Sequence, residues 1–336
     1  DGKTMIQHTV ERIQPLVELE DIFVVTNKNY KDLVIDQLQG IPEENILLEP
    51  MAKNTAPCIG LAAVHIQNKY KDAIMVVLPS DHLIKYNELF IDTLKDAIKV
   101  AEEEENIATI GIMPSYPEIG YGYIHFGAKK EGAIGTAYEV KNFVEKPNLE
   151  TAKEYLASGK YLWNSGMFVW KTTTILNKFK QLLPDTYKGL MKIEEALGLI
   201  NKLEDHTKAM NQISITIEEQ FKAFKSESID YGIMERASDI YTFPGNFGWD
   251  DVGSWLALER INKTNEDGNV VVGNVITVHS RNNIIQGEKK LISTVGIDNL
   301  IIVDTEDAIL ICSKERAQDV KMVVGNLKVC NRREYL

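Results

Sequence analysis

The sequence predicts an α/β protein built on a mostly parallel sheet, followed by a small β-rich unit. Three observations carry this. Over residues 5–243, short apolar runs alternate with helix-period stretches, the signature of βαβ units. The run Ile74-Met-Val-Val-Leu78 is apolar throughout, as in a strand buried on both faces. After the polar stretch Asn262–Asn269 the period changes, and short strands recur at regular spacing. The 336 residues divide accordingly into a domain over 1–261, a linker over 262–269 and a small unit over 270–336.

Composition narrows the class. Hydrophobic content of 44% and charged content of 26% are those of a globular protein. The net charge of −12 argues against nucleic acid or an anionic membrane surface as a general partner. A phosphate ligand would need local Lys or Arg, helix N-termini or a metal ion. Cys58, Cys312 and Cys330 are far apart and odd in number, so they form no disulfide framework and no metal knuckle. Buried thiols in a reducing compartment, the cytoplasm, are expected. No apolar run approaches the length of a membrane span.

In chain order, Thr4 and Gln7 are spaced as a capping box before a helix with Ile6, Val10, Ile13 and Val17 on one face. A parallel sheet normally supplies a strand before such a helix, so a segment before Asp1 is expected. Strands at 22–26 and 45–49 flank a helix over 28–38. Glu49-Pro-Met-Ala-Lys-Asn-Thr-Ala-Pro57 then runs into a helix with Ile59, Ala62, Ala63 and Ile66 inward, and Pro57 suits its first turn. Asn54 and Thr55 offer side-chain oxygens there, and free N–H groups could hold a phosphate or a base edge; an ordinary helix cap is the commoner reading.

Strand 74–78 stops at Pro79-Ser80-Asp81-His82. Ligands of open α/β sheets bind beyond the carboxyl ends of strands, which places Asp81 where a ligand or metal would sit. Taken alone, an Asp after a strand more often caps a turn. A helix near 88–103, ending in the acidic run Glu102–Glu105, leads to strand 107–112. Gly120-Tyr-Gly-Tyr-Ile124 permits close backbone approach, though a hairpin bend explains it equally. Strand 138–144 ends in Glu145-Lys146-Pro147, either a pair for a sugar hydroxyl and a phosphate or a plain surface ion pair. Tyr161–Trp170 is aromatic-rich, with Asn164-Ser-Gly166 as a polar break: a bulge or a ligand contact. Helices are expected at 172–183, 185–204 and 217–224, the last with a Thr216/Glu219 capping box. Ser228–Glu235 opens another helix, and 240–243 is a strand. Asp251 sits at the centre of Gly248-Trp-Asp-Asp-Val-Gly-Ser-Trp255. Strands at 270–278, 284–286, 291–295, 300–304 and 308–312 precede a final helix with Val320, Val323 and Val324 inward and Gly325 at its end.

Leu78-Pro-Ser-Asp-His82, Phe143-Val-Glu-Lys-Pro147, Trp163-Asn-Ser-Gly-Met-Phe168 and Trp249-Asp-Asp-Val-Gly-Ser-Trp255, in this order, resemble the sugar-1-phosphate nucleotidyltransferases. Glu49-Pro with Asn54-Thr-Ala-Pro57 resembles the mannose-1-phosphate guanylyltransferase branch, and the likeness extends to about residue 330. It implies a Rossmann-like domain with a small left-handed β-helix-like domain used to form a homodimer. It also implies transfer of GMP from GTP to α-D-mannose 1-phosphate, giving GDP-mannose and pyrophosphate. By match to those motifs, Asp81 and Asp251 would hold Mg²⁺, and Lys146 would bind the sugar phosphate. Gly122, Glu145 and Asn164 would hold the hexose. Glu49, Asn54, Thr55, Ala56 and Ser80 would meet the nucleotide. The chemistry is consistent: two anions must meet on an acidic protein, so a metal ion and a lysine neutralise charge, and no nucleophilic side chain is required. His82 is expected to be a structural hydrogen-bonding group rather than a base.

The sequence departs from the family in lacking the glycine-rich phosphate signature, expected before Asp1. It also lacks an isomerase-like domain after residue 336, so the single-activity form is expected. Rival readings are a metal-dependent glycosyltransferase, a nucleotidyltransferase for glucose or another base, and a non-catalytic regulator that binds nucleotide sugars.

Overall fold

The apolar stripe Ile6, Val10 and Ile13 makes the first helix amphipathic. In the computed structural model, which describes residues 2–103, 105–130, 135–199 and 206–335, it is α1 (Met5–Ile13). Gln7 Oε1 accepts from the Thr4 N–H at 2.9 Å, as the capping spacing predicts. β1 (Val24–Asn27) and β2 (Ile46–Glu49) pair in parallel around α2 (Lys31–Gln37). Next come α3 (Thr55–Tyr70), β3 (Ile74–Val77), α4 (Asn87–Glu102), β4 (Ile107–Ile112), β5 (Gly122–Lys129), β6 (Tyr138–Glu145), α5 (Leu149–Ser158) and β7 (Tyr161–Lys171). They are followed by α6 (Thr172–Leu182), α7 (Pro184–Leu197), α8 (His206–Ala223) and β8 (Ile240–Gly245).

The main sheet has six strands in the order β3-β7-β4-β8-β6-β5. β4 and β8 are parallel, and β7 runs antiparallel between β3 and β4, so β3, β4 and β8 point the same way. β5 and β6 add antiparallel pairings. The parallel set is thus interrupted by β7, whose direction the sequence does not encode: a strand buried on both faces has the same apolar pattern either way up. Its residues alternate between two cores, as the strand period requires. Phe168 and Trp170 enter a core with Leu61, Phe179, Leu190 and Phe221, and Met167 and Val169 one with Phe90, Leu94 and Phe247. Each fully buried side chain of this size contributes about 1.5–3 kcal/mol.

Some local expectations change. α8 is one helix from 206, and Thr216 lies inside it, where its hydroxyl donates back to the Gln212 carbonyl at 2.9 Å instead of capping. The helix expected to 204 ends at Leu197, and residues 200–204 lie outside the described residues, as does Glu104 of the acidic run. Ser228–Glu235 does not open a long helix but holds one π-helical turn, Asp230–Met234.

The chain divides into two compact units, Asp1–Trp249 and Asp250–Leu336. The second holds α9 (Ala257–Ile261), β9 (Val270–Val272), β10 (Val275–Val278), β11 (Ile284–Gln286), β12 (Ile292–Val295), β13 (Leu300–Asp304), β14 (Ile309–Ser313) and α10 (Val320–Val329). β9, β11 and β13 stack in parallel, and β10 with β12, so successive strands alternate between two ladders as in a β-helix. Gly273 turns the corner between β9 and β10 at φ +98°, where a Cβ would stand 2.1 Å from the Gly287 carbonyl oxygen. Buried Asn269 and Asn283 bond across the coils, Nδ2 of Asn283 donating to Oδ1 of Asn269 at 3.0 Å. The polar stretch 262–269 therefore lies within this unit, and Trp255, Leu256 and Leu258 before it pack on Val270, Ile284 and Ile301. α10 buries none of its residues: Val323 and Val324 are exposed, and Gly325 sits mid-helix. Its apolar period shows a face, not what covers it. Cys58 and Cys312 are half-buried and Cys330 is exposed, less hidden than expected.

Candidate active site

β7 runs against its neighbours, so its polar break comes alongside the carboxyl ends of β3 and β4. Asn164 pairs with Gly111, and a Cβ on Gly166 would stand 3.5 Å from Pro79. The register shifts between Thr109 and Gly111, and the Ser165 hydroxyl holds the Ile110 carbonyl at 2.6 Å. The break is therefore a bulge, of the kind that re-aims side chains at sites.

Gly122 pairs with Glu145 across β5 and β6. A Cβ on Gly122 would lie 2.3 Å from Glu145 Oε2 and 3.4 Å from Asn164 Cβ, so any larger residue would push the Glu145 carboxylate from this position. Glu145 Oε1 holds Lys146 Nζ at 2.9 Å. Glu145 pushes the Lys146 ammonium above the usual lysine range, by hydrogen bond and by charge, so Lys146 stays protonated. Gly122, Glu145, Lys146 and Asn164, distant in sequence, are thus neighbours.

A residue the sequence did not single out joins them. Asn164 Nδ2 donates to Asp230 Oδ1 at 2.7 Å. Burial pushes the Asp230 carboxyl up, with the Asn164 bond opposing. The only trace in the sequence is a Gly between Asp230 and Glu235, which breaks an otherwise helical stretch.

Glu49 ends β2, with Oε1 buried and without a hydrogen-bond partner. Burial raises its carboxyl to about 7. Burial, then the nearby Glu49 charge, raises the Cys58 thiol to about 12, so that thiol is inert. The start of α3 is internally capped. Asn54 Oδ1 accepts from the Thr55 N–H at 2.8 Å, and the Ala56 N–H donates to the Glu227 carbonyl at 3.0 Å. Pro57 has no N–H, so the ordinary helix cap is the reading the turn fits, and its first amides are engaged rather than free. Thr55 Oγ1 accepts from the Ile229 N–H at 2.9 Å, which ties this turn to the segment carrying Asp230.

Ser80 and Asp81 are exposed in the turn after β3. His82 Nδ1 accepts from Trp249 Nε1 at 3.0 Å, the structural role expected of it. Trp249 packs edge-on to His82 and to Tyr121, and Tyr121 packs edge-on to Trp163. This aromatic chain links the Asp81 turn to Gly122 and Asn164; sequence reasoning missed it because its members are scattered. Within the second unit, Asp250 pairs with Arg260, at 2.9 Å to Nη2, and its Oδ1 accepts from the Val252 N–H. Asp251 Oδ1 accepts from the Gly253 N–H at 3.2 Å. Positive φ falls on Asn54 (68°), Lys146 (46°) and Val252 (48°), and a β-branched residue there is strained, as functional loops often are.

Residues 1–268 match the family model described as nucleotidyl transferase, and residues 273–327 match a MannoseP isomerase/GMP-like beta-helix domain. The chain belongs to the nucleotidyl transferase family. A mannose-1-phosphate guanylyltransferase of Salmonella muenchen is 40% identical over 341 residues, covering 100% of this chain and 69% of that protein. One of Escherichia coli strain K12 is 40% identical over 337 residues, covering 99% and 68%. A crystal structure described as a mannose-1-phosphate geranyltransferase from Thermus thermophilus superposes with TM-score 0.83 at 30% identity, covering 97% of this chain and 90% of that one. Nucleotidyltransferases of this kind use a divalent metal. Asp81 presents an exposed carboxylate at a strand end of the first unit, the type of oxygen donor that a hard cation takes. Among the described residues no group of three or more His, Cys, Asp or Glu forms an all-protein cage. No described helix is long and apolar enough to cross a membrane.

Proposed function

We propose that this nucleotidyltransferase transfers GMP from GTP to α-D-mannose 1-phosphate, giving GDP-mannose and pyrophosphate. The observation that carries the reading is the cluster of Gly122, Glu145, Lys146 and Asn164, where β5, β6 and β7 come together. It sets a protonated amine for phosphate beside carboxylate and amide groups for hydroxyls. Glu49 supports the choice of base. A buried carboxylate oxygen without a donor suits guanine, whose N1–H and N2–H₂ offer adjacent donors; uracil and thymine offer a single N–H between two acceptors.

A phosphate oxygen of the sugar 1-phosphate attacks the α-phosphorus, and the bond to the bridging oxygen of the departing pyrophosphate breaks. Lys146 orients the attacking phosphate and offsets its charge. Glu145 and Asn164 fix the hexose, and Gly122 lets it approach the backbone. Asp81 and Asp251 would hold Mg²⁺, which supplies charge neutralisation for the phosphates. Positioning does the rest. Ser80 and the turn at Asn54, Thr55 and Ala56 belong to the nucleotide side, the turn acting through carbonyls and side chains.

We assign the reaction to the cytoplasm and the enzyme to a homodimer formed through the second unit, where Val295, Ile309 and Ile311 are more than 60% exposed. The test is pyrophosphate release with GTP and mannose 1-phosphate, and the reverse reaction on GDP-mannose. Turnover with UTP and glucose 1-phosphate in preference to this pair would overturn the substrate assignment.

A further inference from the structure

We propose that Asp230 is a positioning residue, which locks the Asn164 amide for the hexose of the sugar 1-phosphate and so sets discrimination among hexoses. The inference rests on the reading of Gly122, Glu145, Lys146 and Asn164 as the sugar half-site. Asn164 Oδ1 accepts from the Gly166 N–H at 3.2 Å, and its Nδ2 donates to Asp230 Oδ1 at 2.7 Å. One amide end faces a donor and the other an acceptor, so the orientation is fixed and the second Nδ2 hydrogen has one direction.

Asp230 Oδ1, which takes the Nδ2 hydrogen at 2.7 Å, enforces this as the acceptor. Asp230→Asn would let either end of the Asn164 amide bond on that side and leave the Gly166 N–H to fix the orientation by itself. Asp230 acts on Asn164 at an electrostatic cost, because burial disfavours its charge and its neighbour Glu145 carries the same sign. A neutral acceptor would fill the space without that penalty. The backbone around it is also specialised. Asp230 opens the π-helical turn, with the Glu235 N–H bonded to its carbonyl at 2.9 Å. Such turns fall frequently at functional sites. One residue earlier, the Ile229 N–H is held by Thr55 Oγ1 at 2.9 Å, so the segment is clamped and Asp230 cannot drift from Asn164.

The test is steady-state kinetics of the enzyme with Asp230→Ala, Asp230→Asn, Asn164→Ala and the double variant Asn164→Ala/Asp230→Ala. Asp230→Ala should raise KM for mannose 1-phosphate about tenfold, the effect of one charge-assisted hydrogen bond. KM for GTP should stay within about twofold, and the preference for mannose 1-phosphate over glucose 1-phosphate should fall. Asp230→Asn should sit between wild type and Asp230→Ala, and it keeps the test alive if the alanine variant does not fold. In the Asn164→Ala background, removing Asp230 should add less than about twofold, because the two act as one unit. A merely structural aspartate would instead raise both KM values and add its full effect to the double variant, and that result overturns the proposal. Lys146→Ala separates the two levels. If it leaves KM for the sugar phosphate unchanged, the half-site reading itself fails; if it raises that KM while Asp230→Ala does not, only the role of Asp230 falls.

Discussion

Glu49→Gln tests the base-binding assignment through stability and activity at once, with opposite signs. Burial raises the Glu49 carboxyl from its ordinary 4.5 to about 7. At 1.36 kcal/mol per pK unit, that displacement bounds the effect at ~3 kcal/mol. The group is partly exposed, and solvent screening reduces this to about 1–2 kcal/mol. The folded pKa lies above the unfolded one, so the folded state binds more protons between pH 4.5 and 7. The contribution is therefore fully present below pH 4.5 and is lost as pH rises through about 7. Glutamine does not titrate, so the variant should gain on wild type by about 1–2 kcal/mol between pH 5 and pH 8. That is a relative Tm gain of about 4 °C for a unit of this size. Comparing two pH values cancels the constant cost of the buried amide. GTP use should move the other way. Glutamine accepts at one atom only, so kcat/KM for GTP should fall about tenfold to a hundredfold at pH 8. In the wild type, KM for GTP should improve as pH rises through about 7, as the accepting carboxylate forms. Thermal melts at pH 5 and 8 and a pyrophosphate-release assay read both arms. Parallel melting curves at the two pH values would refute the titration argument, and an unchanged KM for GTP would remove Glu49 from the base site.

Lys146→Ala should raise KM for mannose 1-phosphate about tenfold or more with little change for GTP; equal loss of both substrates would contradict the separation of roles. Asp81→Asn and Asp251→Asn should each cut kcat about 10²–10³-fold and leave the melting temperature nearly unchanged; near-normal turnover at low Mg²⁺ would remove that residue from the metal assignment. Gly122→Ala should raise KM for the sugar phosphate by displacing the Glu145 carboxylate, because its Cβ would stand 2.3 Å from Glu145 Oε2; an unchanged KM would show that the Glu145 position does not matter for the sugar. Val295→Lys with Ile311→Lys should convert a dimer to a monomer in sedimentation analysis, since both side chains are more than 60% exposed on the second unit; an unchanged dimer would place the contact elsewhere.

The sequence by itself determined most of the alternation of strands and helices, because apolar periods fix which faces must leave water; the strand Gly122–Lys129 and the helix Leu149–Ser158 were not read from it. Ile107–Ile112 is buried along its whole length, and its apolar run already required that. The motif residues Glu145, Lys146 and Asn164 stood out through the order and joint content of the motifs that hold them, since each alone reads equally as a surface ion pair or a bulge. What the hydrophobic pattern does not contain is direction or partner. Only the tertiary structure ran β7 against β3 and β4, and that reversal brings Asn164 to the carboxyl ends of its neighbours. Asp230 entered the site through a contact 66 residues away in sequence, behind a stretch that passes for an ordinary helix. The helix cap at Asn54 was legible, but the Ala56 N–H is taken by the Glu227 carbonyl, far along the chain. The protonation of Glu49 likewise follows from how much of the fold covers it, since desolvation is a property of packing and not of the residue.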